Sequence, residues 1–309
     1  MASPTDSLLS SSTTPNETDE AALDETALPS RGRLVLRRFL HSPQGIIGLI
    51  LVVLLILGAF IGPHLTKWSY TTLDFESFDK APSADHWFGT DQVGKDMFAA
   101  TMRGAQKSIL IGLLVALIGT GVAAVVGAAA GYFGGWTDRV LMWIVDLLLV
   151  MPSFLIIAIA SSHFAGNWPL FVVLLGLFIW QITARIVRGQ TLTLKHREYV
   201  LAAKFMGVPG WKIILSHILP NLSSLLIIDA TINVSTAIIT EAGLSFFGFG
   251  VQPPDVSLGT LLSDGQNDAT TYPWLFLFPA GFLIILVLSV NLVGDGLRDA
   301  LDPSSGKAQ

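Results

Sequence analysis

The sequence contains no cysteine in 309 residues. Disulfides, thiolate nucleophiles and cysteine-ligated metals are therefore excluded. Charge is scarce as well. Asp, Glu, Lys and Arg make up 13% of the chain, where a soluble domain carries about a quarter. The basic residues form no cluster of the kind that tracks a phosphate backbone, so nucleic acid is set aside as a partner. The histidines are scattered and no pair has ligand spacing on one helix, so no metal site is expected. What is abundant is apolar: 51% of residues are hydrophobic, and they are gathered into long runs. This composition defines an all-α polytopic membrane protein.

The first 30 residues depart from that pattern. They are rich in Ser, Thr, Asp and Glu, and six of the chain's 23 acids lie in the first 25 positions. Such a segment buries too little apolar surface to offset its ordering entropy, so residues 1–30 are expected to be a disordered acidic tail. A signal peptide is not expected, because the basic start and the apolar run after it are missing. Residues 304–309 form a short C-terminal tail.

Six apolar segments lie near 45–62, 109–133, 140–160, 168–184, 213–240 and 273–294. Each approaches the roughly 20 residues that cross a bilayer. The first follows a basic segment, giving a unit over 31–63, and residues 64–108 form an outer segment before a core of five further spans over 109–303. The fifth span carries His217, Asn221, Asp229 and Asn233, so it should face protein or a watery path. Arg31, Arg33, Arg37, Arg38, Arg139, Arg185, Arg188, Lys195, Arg197, Lys204, Lys212, Arg298 and Lys307 all fall on one side of this arrangement. The positive-inside rule makes that side cytoplasmic, with both termini on it. Residues 241–272, on the other side, have no Lys or Arg.

The cytoplasmic gap between the fourth and fifth spans, about 190–212, contains "REYVLAAKFMGVPGWKIILSHILPN". Tyr199, Ala202, Ala203 and Met206 follow helical spacing and share one face. Small residues at its centre permit close approach, and Phe205 and Met206 are large enough to fill a pocket. Gly207 suits the left-handed conformation that ends a helix. Pro209 and Gly210 turn the chain, and Pro220 is expected to kink the fifth span near its cytoplasmic end. Two readings stand on physics alone: a helix lying on lipid headgroups, or a knob that docks into a partner's groove.

The stretch resembles the EAA loop of permease subunits in ATP-binding-cassette importers: Leu201-Ala202-Ala203, then Gly207, then Leu219-Pro220. Leu201 replaces the first acid of that pattern, and Glu198, one turn earlier, is placed to substitute for it. "HWFGTDQVGKDMFAATMRGAQKSILIG" (86–112), "GYFGGWTDRVLMWIVDLLLVMPSFLI" (131–156), "EAGLSFFGFGVQPPDVSLGTLL" (241–262) and "NLVGDGLRDALDP" (291–303) resemble the C-type permeases of the oligopeptide and dipeptide importers. The likeness runs over about residues 33–303 and is nearest to actinobacterial oligopeptide permeases.

The resemblance implies a type I importer fold with six transmembrane helices in a bacterial inner membrane. It implies no enzymatic activity and no cofactor in this chain, with ATP and magnesium held by partner ATPase subunits, one fused or two separate. It also implies a homologous B-type permease, an extracytoplasmic substrate-binding lipoprotein and a peptide substrate. Dipeptides, nickel or another small solute of the same family are the alternative cargo. Glu198, Tyr199, Leu201, Ala202, Ala203, Phe205, Met206 and Gly207 would form the ATPase-coupling helix, and Pro209, Gly210 and Pro220 its hinge.

Other motifs are weighed against plainer readings. "GTDQVGKD" (89–96) has the spacing of a phosphate-binding loop, but Asp96 replaces the magnesium-binding hydroxyl and would repel phosphate. Asp91, Lys95 and Asp96 are instead expected to tie an outer loop to the second span, or to form a solvated turn. Asp146 and Asp229 within spans raise the possibility of an intramembrane aspartyl protease. The plainer reading is a satisfied buried acid, with Asp146 paired to Arg139 or to a basic residue of the fourth span. A place along the peptide path is the other reading, for Asp229, Asn233 and Glu241. The glycine- and aromatic-rich run 243–259 is expected to be an outer re-entrant scoop or gate carrying Phe246, Phe247, Phe249, Pro253 and Pro254, rather than a simple interfacial turn. A secondary transporter is the third functional class, and neither it nor a protease needs a docking helix.

Overall fold

The computed structural model describes residues 31–162 and 167–301. The tails expected at 1–30 and 304–309 lie outside the described residues. Helices account for nearly all regular structure there: α1 (Arg31–Phe39), α2 (Pro43–Ile61), α3 (Met97–Phe133), α4 (Gly135–Val150), α5 (Ser153–Ser162), α6 (Trp168–Gly176), α7 (Gln181–Leu194), α8 (Glu198–Phe205), α9 (Gly210–Ile213), α10 (Leu219–Phe246), α11 (Leu258–Gly265) and α12 (Trp274–Leu301).

Four helical segments are long and apolar enough to cross a membrane: Pro43–His64, Met97–Phe133, Gly210–Phe246 and Trp274–Leu301. Two further spans are bent pairs. α4 and α5 meet at 80° and α6 and α7 at 44°. The first bend falls at Met151-Pro152, where proline biases the residue before it away from helix. The six expected spans are therefore four continuous helices and two broken ones.

α3 is the central post. Its 37 residues extend about 55 Å, and it packs against α7, α10, α2, α4, α6 and α11. It begins at Met97, twelve positions before the expected 109, and Asp96 caps it by accepting the Ala99 N–H at 2.8 Å. Arg103, Gln106 and Lys107 make this first part too polar to read as a span, yet each has a partner. Gln106 donates to the Ala59 carbonyl of α2 at 2.7 Å, and Lys107 meets Asp255 at 3.0 Å. α2 and α12 form a second long pair.

Pro220, expected to kink the fifth span, lies within one continuous helical segment, Gly210–Phe246. A π-helical turn, Ile214–Ile218, stands immediately before Leu219-Pro220 and joins α9 to α10 as one helix. Pro220 supplies no N–H for the preceding turn, and the wider turn accommodates it within a continuous span.

Candidate functional site

The end of the bundle where α3 finishes carries α8. Arg197 starts this helix in an extended conformation, and Glu198 and Lys204 place charges of the favourable sign at its two ends. It ends in a Schellman motif. The Gly207 N–H donates to the Lys204 carbonyl and the Val208 N–H to the Ala203 carbonyl, both near 3 Å. Gly207 holds φ +77 there, which a side chain would strain.

Val200 and Ala203 are 1% and 2% exposed and face the protein's own core, among Ala128 of α3, Val187 of α7, and Ile213, Ile214, Ile218 and Leu222. Burying Val200 alone is worth about 2 kcal/mol. This corrects the expected face. Ala203 points inward with Val200, so it is an anchor and not part of an outer contact surface. The outer surface is made by Tyr199, Ala202, Phe205 and Met206, with Phe205 87% and Met206 76% exposed. Leu201 is half-buried at its edge and Glu198 is exposed.

The expected hinge is tightly packed in part. Pro209 precedes α9 in an extended conformation, but a Cβ on Gly210 would come within 2.9 Å of both Tyr132 and Phe133. Gly210 therefore lets α9 approach the end of α3, and Trp211 packs edge-on against Phe133 at 5.3 Å. Lys195 donates to the Gly131 carbonyl at 3.0 Å, and Arg188 grips Asp138 through two nitrogens. The short helix thus sits on a rigid base.

Between the two ends, the three path candidates face inward. Asp229 accepts from Thr120 at 2.9 Å, Thr183 at 2.6 Å and Asn233 at 2.8 Å, joining α3, α7 and α10. Asn233 is buried, and Asp229 is half-buried beside it. Glu241 is 0% exposed and accepts from Ser108 and Ser245, each at 2.7 Å. Ser108 also receives the Leu258 N–H at 3.3 Å, and Ser245 the Val251 N–H at 3.1 Å. Asn233 and Glu241 therefore bind helices together in this conformation and do not line an open path. Asp146 pairs with Arg185 rather than Arg139. Asp146 and Asp229 have separate partners, so the shared-proton arrangement of an aspartyl protease is absent between them.

The opposite end of α3 is polar. His86 lies between Asp96 (Nδ1 to Oδ2, 2.8 Å) and Asp74 (Nε2 to Oδ2, 3.3 Å) and stacks on Trp68. Asp91 accepts the Val93 and Lys95 N–H groups, and a bridge pairs Lys95 with Leu73. The expected tie through Asp91, Lys95 and Asp96 is thus a folded loop, and the histidine at its centre was missed. His86 and Asp96 are ten residues apart with no helical or metal spacing to flag them.

Hydrogen bonds from Ser77, the Glu76 amide and His86 hold the Asp74 carboxyl below its usual range. Burial pushes Asp79 up, aided by Asp268 and Asp91. The expected scoop is a loop followed by helix α11. Phe247 and Phe249 are exposed, Phe246 is half-buried, and Pro253 and Pro254 are exposed at its tip. Phe247 packs edge-on against Phe154 of α5. A cavity of about 450 Å³ opens beside this loop, lined in part by Tyr70, Lys95, Gln252, Asp255 and Asp264.

Fold and site together define a multispan membrane subunit that presents a short apolar-tipped helix outside its bundle. Residues 123–307 match the family described as binding-protein-dependent transport system inner membrane component, and residues 30–82 match the N-terminal TM domain of oligopeptide transport permease C. The oligopeptide transport system permease protein OppC of Mycobacterium tuberculosis (strain H37Rv) is 52% identical over 282 residues, 91% of this chain and 97% of the relative. The OppC of Bacillus subtilis (strain 168) is 42% identical over 272 residues, 87% of this chain and 88% of the relative. The chain belongs to the family of binding-protein-dependent transport system inner membrane components, in its oligopeptide permease C branch. It has the type I permease fold of ATP-binding-cassette importers and resides in the inner membrane.

Proposed function

We propose that this chain forms half of the translocation pathway of an ATP-driven oligopeptide importer and is driven through α8. A homologous B-type permease supplies the other half. One fused or two separate ATPase subunits hold ATP and magnesium, and an extracytoplasmic substrate-binding lipoprotein delivers the peptide. Both termini and α8 face the cytoplasm, in keeping with the distribution of Arg and Lys.

The observation that carries this reading is the two-sided character of α8. Val200 and Ala203 fix it to the ends of α3, α7 and α10, while Phe205 and Met206 project outward, 87% and 76% exposed among the described residues. Exposed apolar side chains held rigidly fit a groove in a partner. A load on them is passed to three spans at once through the packed cluster, which suits rigid-body switching between two packings. The arrangement supports Glu198, Tyr199, Leu201, Ala202, Phe205 and Met206 as the contact set, with Gly207 shaping its end.

Affinity purification of the tagged chain, coexpressed with its neighbouring transport genes, tests the reading. The second permease and the ATPase should co-purify, and labelled oligopeptide uptake should require all of them together with ATP. Peptide uptake by this chain alone, or a stable complex without an ATPase, would overturn it.

A further inference from the structure

The coupling role leaves α1 unexplained. It joins α2 through only Leu40, His41 and Ser42, so it lies where the first span leaves the bilayer. Its sequence, RGRLVLRRF, sorts into four rows of side chains one helical turn apart, one of them the exposed Leu34 with Arg38. Val35 and Phe39 form the first row, with Phe39 buried against the glycines at 45 and 296 as α1 packs on α12. Leu36 and Leu40 form the next row and are exposed. Arg33 and Arg37 form the row beyond them, also exposed, and neither guanidinium has a partner among the described residues.

Starting from the packed row, the order around the helix is therefore protein, apolar, cationic, with Leu34 and Arg38 completing the turn. A helix at a membrane surface meets protein, acyl chains and headgroups in that order. Two like charges one turn apart disfavour the helix that carries them, and an anion between them reverses the effect. A phosphodiester offers acceptors to both guanidiniums.

We propose that α1 is an interfacial foot for anionic phospholipid, with the headgroup phosphate between Arg33 and Arg37 and acyl chain against Leu36 and Leu40. The chemistry on the page favours a lipid over free phosphate because the two leucines lie beside the arginines and are open. Another candidate occupant is the chain's own acidic start, where six acids lie within the first 25 residues.

The full-length protein, purified in detergent and exposed to equimolar phosphatidylglycerol and phosphatidylcholine, tests this by counting retained lipid. Phosphatidylglycerol should be favoured roughly tenfold, in line with the attraction of two cationic side chains to an anionic surface. Arg33→Gln with Arg37→Gln should abolish the preference. Arg33→Lys with Arg37→Lys should keep part of it, and Arg139→Gln all of it. A readout free of variants is the melting midpoint of the unaltered protein, which phosphatidylglycerol should raise and glycerophosphoglycerol or inorganic phosphate should not. Equal retention of both lipids, full preference in the double glutamine variant, or an equal effect of inorganic phosphate would overturn the proposal. A preference that appears only after residues 1–30 are removed would assign the arginines to the acidic tail instead.

Discussion

The two ends of α3 are built from different physics. At Met97 the helix is held by charge and hydrogen bonds: Asp96 on its first turn, His86 between two aspartates, and Arg103 and Lys107 reaching for Asp255. At Phe133 it is held by shape. Ala128 packs with Val187, Val200, Ala203 and a row of isoleucines, and aromatic rings close over Gly210. The polar end is held by titratable side chains, among them His86, Asp74 and Asp96. The apolar end is closely interdigitated, and it carries Phe205 and Met206 fully outward on a short helix. A lever needs a rigid joint at the driven end, and apolar interdigitation supplies that better than exposed ion pairs do.

The sharpest way to break this contrast is to place a charge on either side of α8. Ala203→Asp buries an unpaired carboxylate in the anchoring cluster and should cost several kcal/mol of stability, read as a lower melting midpoint in detergent. Ala202→Asp, one residue away but exposed, should leave the midpoint unchanged within about 0.5 kcal/mol. Equal effects would mean that α8 is not anchored through Ala203.

Next in size is the outward face. Phe205→Ala with Met206→Ala should leave the melting midpoint unchanged while weakening ATPase association by about thirtyfold, the loss of a hot spot worth about 2 kcal/mol. Titration of the purified ATPase onto the assembled permease pair checks it. At the polar end, Asp96→Ala removes a helix cap and a partner of His86. It should cost about 1 to 2 kcal/mol, with ATPase affinity unaltered.

The smallest effect expected is one of pH. The Asp74 carboxyl is held below its usual range, so its contribution is present above the unfolded carboxylate pKa, about 4, and is lost as pH falls through the folded value. Below pH about 4 the outer segment should loosen first, seen as faster amide exchange over 68–96 than around α8. Asp74→Asn should flatten that dependence.

Much of this architecture was legible in the residues. Apolar length gave six spans, and Gly207, followed by Val208 and Pro209, marked a helix end that the Schellman geometry confirms. The family likeness over 33–303 located the short helix between them. Periodicity grouped Tyr199, Ala202, Ala203 and Met206 on one side, but spacing says only which residues are neighbours. Which of them faces inward depends on Ile213, Ile218 and Val187, and those contacts are tertiary. The start of α3 was hidden because Arg103, Gln106 and Lys107 lower its hydropathy, although each finds a partner in another element. The inward settings of Asn233 and Glu241 likewise depend on neighbours far away in the chain.

The absence of cysteine allows the central claim to be tested with one label at a time. Met206→Cys at one end and Phe75→Cys at the other, both exposed positions, would each carry a short photo-activated cross-linker in membranes containing the assembled importer. The account predicts that the ATPase is captured from position 206 and not from position 75. Capture from position 75, or failure at 206 while labelled peptide is still imported, would contradict it.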